Sequence, residues 1–281
     1  MKKKVVLLTF IGIQVSGLAQ NGYLLSGARA TALGTASVVL NDEWGVIHNQ
    51  AGLGFVRQIS TGFYYKNSFQ LKELGSRNVV FCLPVKVGTL GTSFTNFGYK
   101  ACNENKFNLS FAKAFSDSYS MGVACDYLFT HIEEGTTNFT TLVGEIGLLT
   151  KLRKDLLLGA HLYNPTRSRT GKNSAERVPT IMRLGIGYQA SETLLLLAET
   201  EKDMSRLPVF KAGIEYQALN RFFLRTGISS QPFLISYGLG FQDRQLKIDI
   251  GGNYHQTLGF TTQIGFSYSF CKNPEIVRGH L

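Results

Sequence analysis

Acid–base chemistry needs a histidine or carboxylate beside a second polar group, and the sequence offers one such cluster. His131 is closely followed by Glu133 and Glu134, and a histidine paired with a carboxylate can act as general acid or base. The chain contains no HExxH or GxSxG motif and no complete P-loop. A hydrolase at this cluster is therefore the less favoured interpretation. We expect a non-enzymatic protein that needs no cofactor.

The cysteines do not form a pattern typical of metal or redox sites. Cys82, Cys102, Cys125 and Cys271 are far apart and form no CxxC motif. The sequence leaves all three possible pairings open, and we expect no metal site. Cys82 and Cys125 lie among apolar neighbours, so we expect both to be small buried side chains.

Charged residues at alternating positions form a second candidate site, in the second half of the chain. Their sign alternates from one segment to the next. The set comprises Arg183, Glu199, Glu201, Lys211, Glu215, Arg225, Lys247 and Asp249. In a barrel these residues would face the lumen and neutralise one another across neighbouring strands. The mixed sign favours a filled, structural lumen over an ion path, which would carry one sign of charge.

The elements that must position these side chains are β-strands. In the last segment one face is apolar and largely aromatic, and the other is small and polar. The first face comprises Phe260, Thr262, Ile264, Phe266, Tyr268 and Phe270, and the second Thr261, Gln263, Gly265, Ser267 and Ser269. Repetition of this pattern from residue 179 onward is typical of a transmembrane β-barrel with lipid outside. A soluble β-sandwich is the alternative.

Period-two runs and turn residues divide the chain into fourteen predicted strands. Their ranges are 54–66, 77–87, 89–98, 105–115, 118–131, 138–151, 155–163, 179–190, 192–201, 207–218, 221–229, 233–242, 245–255 and 259–270. Bacterial barrels have an even strand number, short periplasmic turns and longer outer loops. Connections after even-numbered strands are short here. We therefore predict an all-β, up-and-down antiparallel barrel with periplasmic N- and C-termini.

The N-terminus carries a predicted export signal. Lys2, Lys3 and Lys4 precede a short apolar stretch and a cleavage site of small residues. Export and a barrel together predict the outer membrane of a gram-negative bacterium. The predicted organisation is a signal peptide at 1–19, a plug or hatch at 20–53, the barrel at 54–270 and a periplasmic tail at 271–281.

The chain is basic, with a formal net charge of +10. Lys and Arg are scattered, apart from a denser run between Arg167 and Lys172. An exported protein rarely meets nucleic acid, so we expect no such partner. Outer-membrane lipid, anionic headgroups or an acidic partner are the expected surroundings, and a solvated loop is the simplest explanation of the run.

Residues 20–53 do not alternate and are rich in Gly, Ala and Ser, which allow close backbone approach. The segment also holds the only tryptophan, which favours burial. We predict that it folds into the barrel as a plug; a loose periplasmic leader is the alternative. The candidate plug residues are Gly27, Arg29, Gly34, Asn41, Asp42, Trp44, Asn49 and Gly52.

Several motifs resemble the PorV/PorQ family of the FadL-like outer-membrane barrel group. The N-terminal motif runs from Gly27 to Ser37 and continues with Asn41-Asp42 and Asn49-Gln50-Ala51-Gly52-Leu53. The family usually has Asn-Pro-Ala-Gly at the last of these. Strand motifs between residues 179 and 261 are similar as well.

The resemblance implies a fourteen-stranded barrel with an N-terminal plug and a role in the type IX secretion system. The implied partners are translocon components or the C-terminal domains of secreted cargo. We therefore expect a non-enzymatic interaction partner in secretion or surface attachment. A FadL-like channel for hydrophobic or small solutes is the alternative.

Overall fold

The computed structural model describes residues 27–133, 137–170 and 177–270. The predicted signal peptide, residues 20–26 of the predicted plug and the predicted tail at 271–281 lie outside the described residues. Glu134, of the predicted acid–base cluster, lies outside them as well.

Fourteen antiparallel strands form one closed barrel, in which each strand pairs with its sequence neighbours and β14 pairs with β1. They are β1 (Ile59–Asn67), β2 (Gly75–Val85), β3 (Gly88–Tyr99), β4 (Cys102–Ala114), β5 (Tyr119–Ile132), β6 (Thr137–Arg153), β7 (Leu156–Tyr163), β8 (Ile181–Ser191), β9 (Leu194–Asp203), β10 (Val209–Leu219), β11 (Phe222–Ser230), β12 (Phe233–Asp243), β13 (Leu246–His255) and β14 (Gly259–Phe270). The predicted fold class and strand number are confirmed.

The helices are short and lie mostly ahead of the barrel. They are α1 (Ala28–Ala32), α2 (Gly45–His48) and 3-10 helices over Gln50–Phe55, Ser68–Gln70 and Lys72–Leu74. Because the 3-10 helix occupies Gln50–Phe55, the first strand begins at Ile59 rather than at the predicted residue 54. Within the described residues, none of the helices has the length and apolarity to cross a membrane.

Alternation along each strand decides which side chains meet lipid. In β14, Phe260 and Phe266 are exposed on the outer surface, whereas Thr261 and Gln263 are buried inside. The exposed residues of the other strands are likewise mostly Phe, Leu, Ile, Tyr and Val. A closed sheet with an apolar exterior is the surface of a membrane barrel. The chain is therefore a transmembrane β-barrel, and the sandwich alternative is wrong.

The two ends of the barrel differ in their connections. One end, called the terminal end, holds the start of β1, the end of β14 and the connections after even-numbered strands, which span 86–87, 115–118, 154–155, 192–193, 220–221 and 244–245. The opposite end, called the loop end, includes the longer connections 68–74 and 164–180. The predicted shortness of the even-numbered connections is confirmed.

Residues 27–56, called the plug below, lie inside the barrel. Helix α1 contacts β11 to β14, and the 3-10 helix at Gln50–Phe55 contacts β3 to β6. Between these helices, the backbone of Ser37 and Val38 bonds to a side chain of β9. The plug therefore reaches across the lumen from one wall to the other.

Candidate functional site

The predicted charge ladder lies on the inner wall, where the plug meets the strands. Most of its members are buried, and Arg183 has no exposed surface. Glu201 is half-buried, and the side chain of Lys247 is 30 % exposed. Lys211 lies directly opposite Glu199 in the β9–β10 pair, as Glu215 lies opposite Arg225 in the β10–β11 pair. Cross-strand pairing of opposite charges neutralises these buried side chains.

Arg29 of the plug joins this ladder. Its guanidinium donates to both Glu215 carboxylate oxygens, at 2.8 and 2.7 Å, and to Asp42 Oδ2 at 3.0 Å. Glu215 also accepts from Arg225, which in turn pairs with Asp249. A bidentate contact fixes the orientation of both partners. Arg29 therefore anchors α1 to β10.

Glu199 binds the plug backbone rather than a plug side chain. Its Oε2 accepts from the Ser37 and Val38 amides at 2.7 and 2.8 Å. Its Oε1 lies 3.1 Å from Lys211 Nζ and 3.7 Å from an Arg183 nitrogen. One buried carboxylate thus holds two backbone donors and two cations, and each donor bonded to a charged group is worth more than a neutral bond.

Arg183 connects the ladder to α2. Its guanidinium donates to the His48 carbonyl oxygen and lies 3.2 Å from His161 Nδ1. Burial, and then the neighbouring Arg183 charge, lower the pKa of His48 to about 3, so the imidazole of this plug residue is neutral. Its Nδ1 lies 3.0 Å from the Ser37 hydroxyl. The arrangement orients the plug against β7 and β8.

Sequence reasoning missed the other half of the buried charges. Lys106 Nζ lies 2.6 Å from Asp126 and 3.2 Å from Glu145, and His161 Nε2 lies 2.8 Å from Glu145. Gln50 of the plug donates to the same glutamate. The PorV/PorQ family, which this chain resembles, usually has proline at the position of Gln50. The glutamine therefore supplies a contact to the barrel wall that proline could not make.

Inward-facing glycines let the plug approach the strands. A methyl group added to Gly213 would lie 2.6 Å from the Leu33 carbonyl oxygen, and one added to Gly227 would overlap the Gly34 nitrogen. Gly34 has φ 67°, in the left-handed region that favours glycine. The plug turn and the two strands therefore fit only without side chains at these positions.

The remaining candidate plug residues are also placed. Asn49 donates to the Val38 and Leu148 carbonyl oxygens at 2.7 and 3.0 Å. Trp44 is buried and donates from Nε1 to Ser267 Oγ at 3.1 Å. A side chain at Gly27 would crowd Trp44, and one at Gly52 would approach a neighbouring plug carbonyl at 2.6 Å.

Below the plug, the terminal end opens into a vestibule of about 1840 Å³. Asn41 and Asp42 line it, and Lys247 pairs there with Glu43 at 3.3 Å. The lining carries both signs of charge, from Arg29, Asp42, Glu43, Arg57, Lys154, Asp155, Glu192, Glu215, Arg221, Arg225, Asp243, Arg244, Lys247 and Asp249. Balanced charges select neither anions nor cations.

Most of the candidate metal and acid–base residues lie in the part of the chain that the structure describes. It contains no cluster of three metal-ligating side chains. His131 bonds Asn138 at 2.8 Å on the exposed rim. Cys82 is buried as predicted, but the prediction for Cys125 was wrong. That side chain points outward with the lipid-facing residues of β5. In a membrane barrel the apolar face of a strand is the outer one, so apolar neighbours do not indicate burial in the lumen.

Comparison with known proteins places the fold. No protein-family model and no curated protein matches the chain. The toluene transporter TbuX of Ralstonia pickettii matches with a TM-score of 0.70 at 12% identity, covering 87% of this chain and 98% of that one. The monoaromatic hydrocarbon channel CymD matches with a TM-score of 0.69 at 12% identity, covering 89% of this chain and 98% of that one. A FadL homologue of Pseudomonas aeruginosa matches with a TM-score of 0.54 at 13% identity, covering 86% of this chain and 95% of that one.

These identities are low enough that the likeness concerns the fold alone. The chain shares the barrel fold of these transporters, channels and FadL homologues. These three proteins are described as a transporter, a channel and a FadL homologue, and none is described as a PorV/PorQ protein, so the resemblance to that family stays a prediction.

Proposed function

We propose that the protein is a non-enzymatic, FadL-type outer-membrane channel for small hydrophobic molecules. The observation that carries the proposal is a plug inside a fourteen-stranded barrel whose backbone matches TbuX over 87% of this chain. Short connections at the terminal end favour periplasmic termini, since bacterial barrels have short periplasmic turns. The proposal reverses the order of the two functions expected from the sequence.

An apolar cluster lies at the loop end of the lumen, beside a small cleft whose lining is partly apolar and partly polar. Leu128, Val143, Tyr163, Val178 and Ile181 pack together inside the barrel. A small cleft beside them opens on the loop end. Burying apolar area there is favourable at roughly 25 cal/mol per Å².

The plug and ladder lie between this cluster and the vestibule. A hydrophobic molecule crossing them would have to contact desolvated ion pairs, which is costly. Transport through the lumen therefore requires the plug to shift.

Uptake of radiolabelled toluene by cells with and without the gene tests the proposal. We expect slower uptake in the deletion strain, restored by the wild-type gene. Val143→Asp should restore it less, because the variant places a charge in the apolar cluster, whereas Val123→Thr on the outer face of β5 should restore it fully. Equal uptake in all strains would contradict the proposal.

A second candidate function, an interaction partner in type IX secretion, is favoured by one observation. The plug is fixed to both walls, and a protein that acts as a binding surface needs no open path. The partners would be translocon components or the C-terminal domains of cargo. In that case deletion strands cargo in the periplasm and leaves toluene uptake unchanged, which distinguishes the two functions.

A further inference from the structure

The loop end carries a group of basic side chains that the channel does not use. Arg167, Arg169 and Arg177 lie on the β7–β8 connection, and Lys202 and Arg206 lie at the β9–β10 connection. All five are exposed. We call them the basic rim.

The β7–β8 connection holds its arginines in a defined conformation. Buried Asn164 donates to the Val178 carbonyl oxygen at 2.8 Å and accepts from the Ser168 amide at 2.9 Å. Arg167 has φ 55°, in the left-handed region that arginine rarely adopts. A residue kept in such a conformation by its surroundings is a pointer to function.

Two arginines of this connection, Arg169 and Arg177, point away from the inner cleft. Arg169 and Arg177 oppose each other across an antiparallel bridge. Their neighbours Thr170 and Val178 line the inner cleft, and alternate residues of an extended chain face opposite sides. The two guanidinium groups therefore extend from the same outer face, and like charges directly opposite are destabilising unless an anion lies between them.

The described residues supply almost no such anion. Only Arg206 has a carboxylate within ion-pair distance, Asp203 at 3.7 Å. Lys202 donates to the Arg206 carbonyl oxygen rather than to an acid. Among the residues that the structure describes, one carboxylate therefore lies within ion-pair distance of the five side chains of the basic rim.

The β9–β10 part of the basic rim lies at the edge of the lipid-facing band. Lys202 lies directly opposite the outward-facing Met182 in the β8–β9 pair. In the adjoining connection, Met204 and Leu207 are 60% and 68% exposed. Basic side chains beside exposed apolar ones are typical of the headgroup level of a membrane.

We propose that the basic rim binds the phosphate groups of a lipid in the leaflet at the loop end. Arg169 and Arg177 share one phosphate, and Arg167, Lys202 and Arg206 receive further negative charge of the same headgroup. Met204 and Leu207 contact the acyl boundary. The partner class is a lipid with more than one phosphate, and this assignment does not depend on what the channel transports.

Native mass spectrometry of the full-length protein in detergent tests the assignment, with diphosphoryl lipid A, monophosphoryl lipid A and phosphatidylethanolamine as probes. We expect retention in that order. The variant R167Q/R169Q/R177Q should bind diphosphoryl lipid A at least about tenfold more weakly, since each basic side chain near a membrane surface contributes about 1 kcal/mol. The matched variant K72Q/R77Q/K100Q removes equal charge from the opposite side of the same end and should change binding less than about twofold.

Three outcomes would overturn the proposal: equal losses in both variants, equal retention of all three lipids, or stronger binding of an acidic peptide than of diphosphoryl lipid A. If the arginine variant does not show the heat-modifiability of a folded barrel, lipid binding by the wild-type protein tests the proposal instead. Its binding of diphosphoryl lipid A must weaken with added salt and compete with monophosphoryl lipid A. Salt-independent binding would overturn the proposal.

Discussion

The two sides of the plug are held by different chemistry. Toward β8–β11, the barrel presents charged side chains to the plug. Glu215 accepts hydrogen bonds from Arg29, and Glu199 accepts them from the backbone amides of Ser37 and Val38. Toward β4–β7, Lys106, Asp126, Glu145 and His161 pair mainly with one another, and the plug adds the neutral amide of Gln50.

This difference separates anchoring from wall stability. On the β8–β11 side, loss of a ladder charge weakens the bonds to the plug amides or removes two of the three hydrogen bonds of Arg29, which is costly. On the β4–β7 side, loss of a charge disturbs mainly the wall. Mutations on the two sides should therefore destabilise the protein similarly but release the plug unequally.

The largest effects are expected from removing the central carboxylate of each side. Glu199→Gln and Glu145→Gln should each lower the free energy of unfolding by about 3–5 kcal/mol, because each breaks buried ion pairs. Only Glu199→Gln should accelerate hydrogen exchange at the Ser37 and Val38 amides. Equal exchange in the two variants would remove the distinction between anchor and wall.

A smaller effect is expected from filling the space between plug and wall. Gly227→Val should cost about 1–3 kcal/mol or more, because the side chain overlaps the turn at Gly34. The control is Gly144→Val in β6, where an added methyl group meets no other atom within 4 Å. Denaturant unfolding of the reconstituted protein compares the two variants, and a similar loss in both would contradict the close fit.

The smallest effect is expected at Gln50. Gln50→Ala removes the hydrogen bond to Glu145 and should cost about 1.5 kcal/mol. Gln50→Pro should cost less, since proline is tolerated in the first turn of a helix and restricts the unfolded chain. A larger loss for proline would show that the backbone at this position differs from that of the resembling family.

Alternation predicted the strands well because side-chain orientation has a period of two and lipid enforces it on every strand. The eight predicted ladder residues are inward for the same reason. Lys106 was missed although Lys106, Asn108 and Ser110 alternate with Phe107 and Leu109 in the same way.

The plug contacts could not be predicted in the same way. Arg29 and Glu215 are joined only once the barrel has closed, and their pairing spans 186 residues. The same holds for Glu199 and the amides at 37 and 38. The start of the first strand was misplaced because apolar residues of a 3-10 helix, Leu53 and Phe55, resemble the start of an alternating run.

Single-channel recording in planar bilayers tests most directly the central claim that the plug closes the barrel. The wild type should remain near the baseline, and a variant lacking residues 28–50 should conduct, because the deletion removes the contacts that cross the lumen. Glu199→Gln should show intermittent openings and Glu145→Gln fewer. A deletion variant as closed as the wild type, or a wild type that conducts like an open pore, would contradict the account.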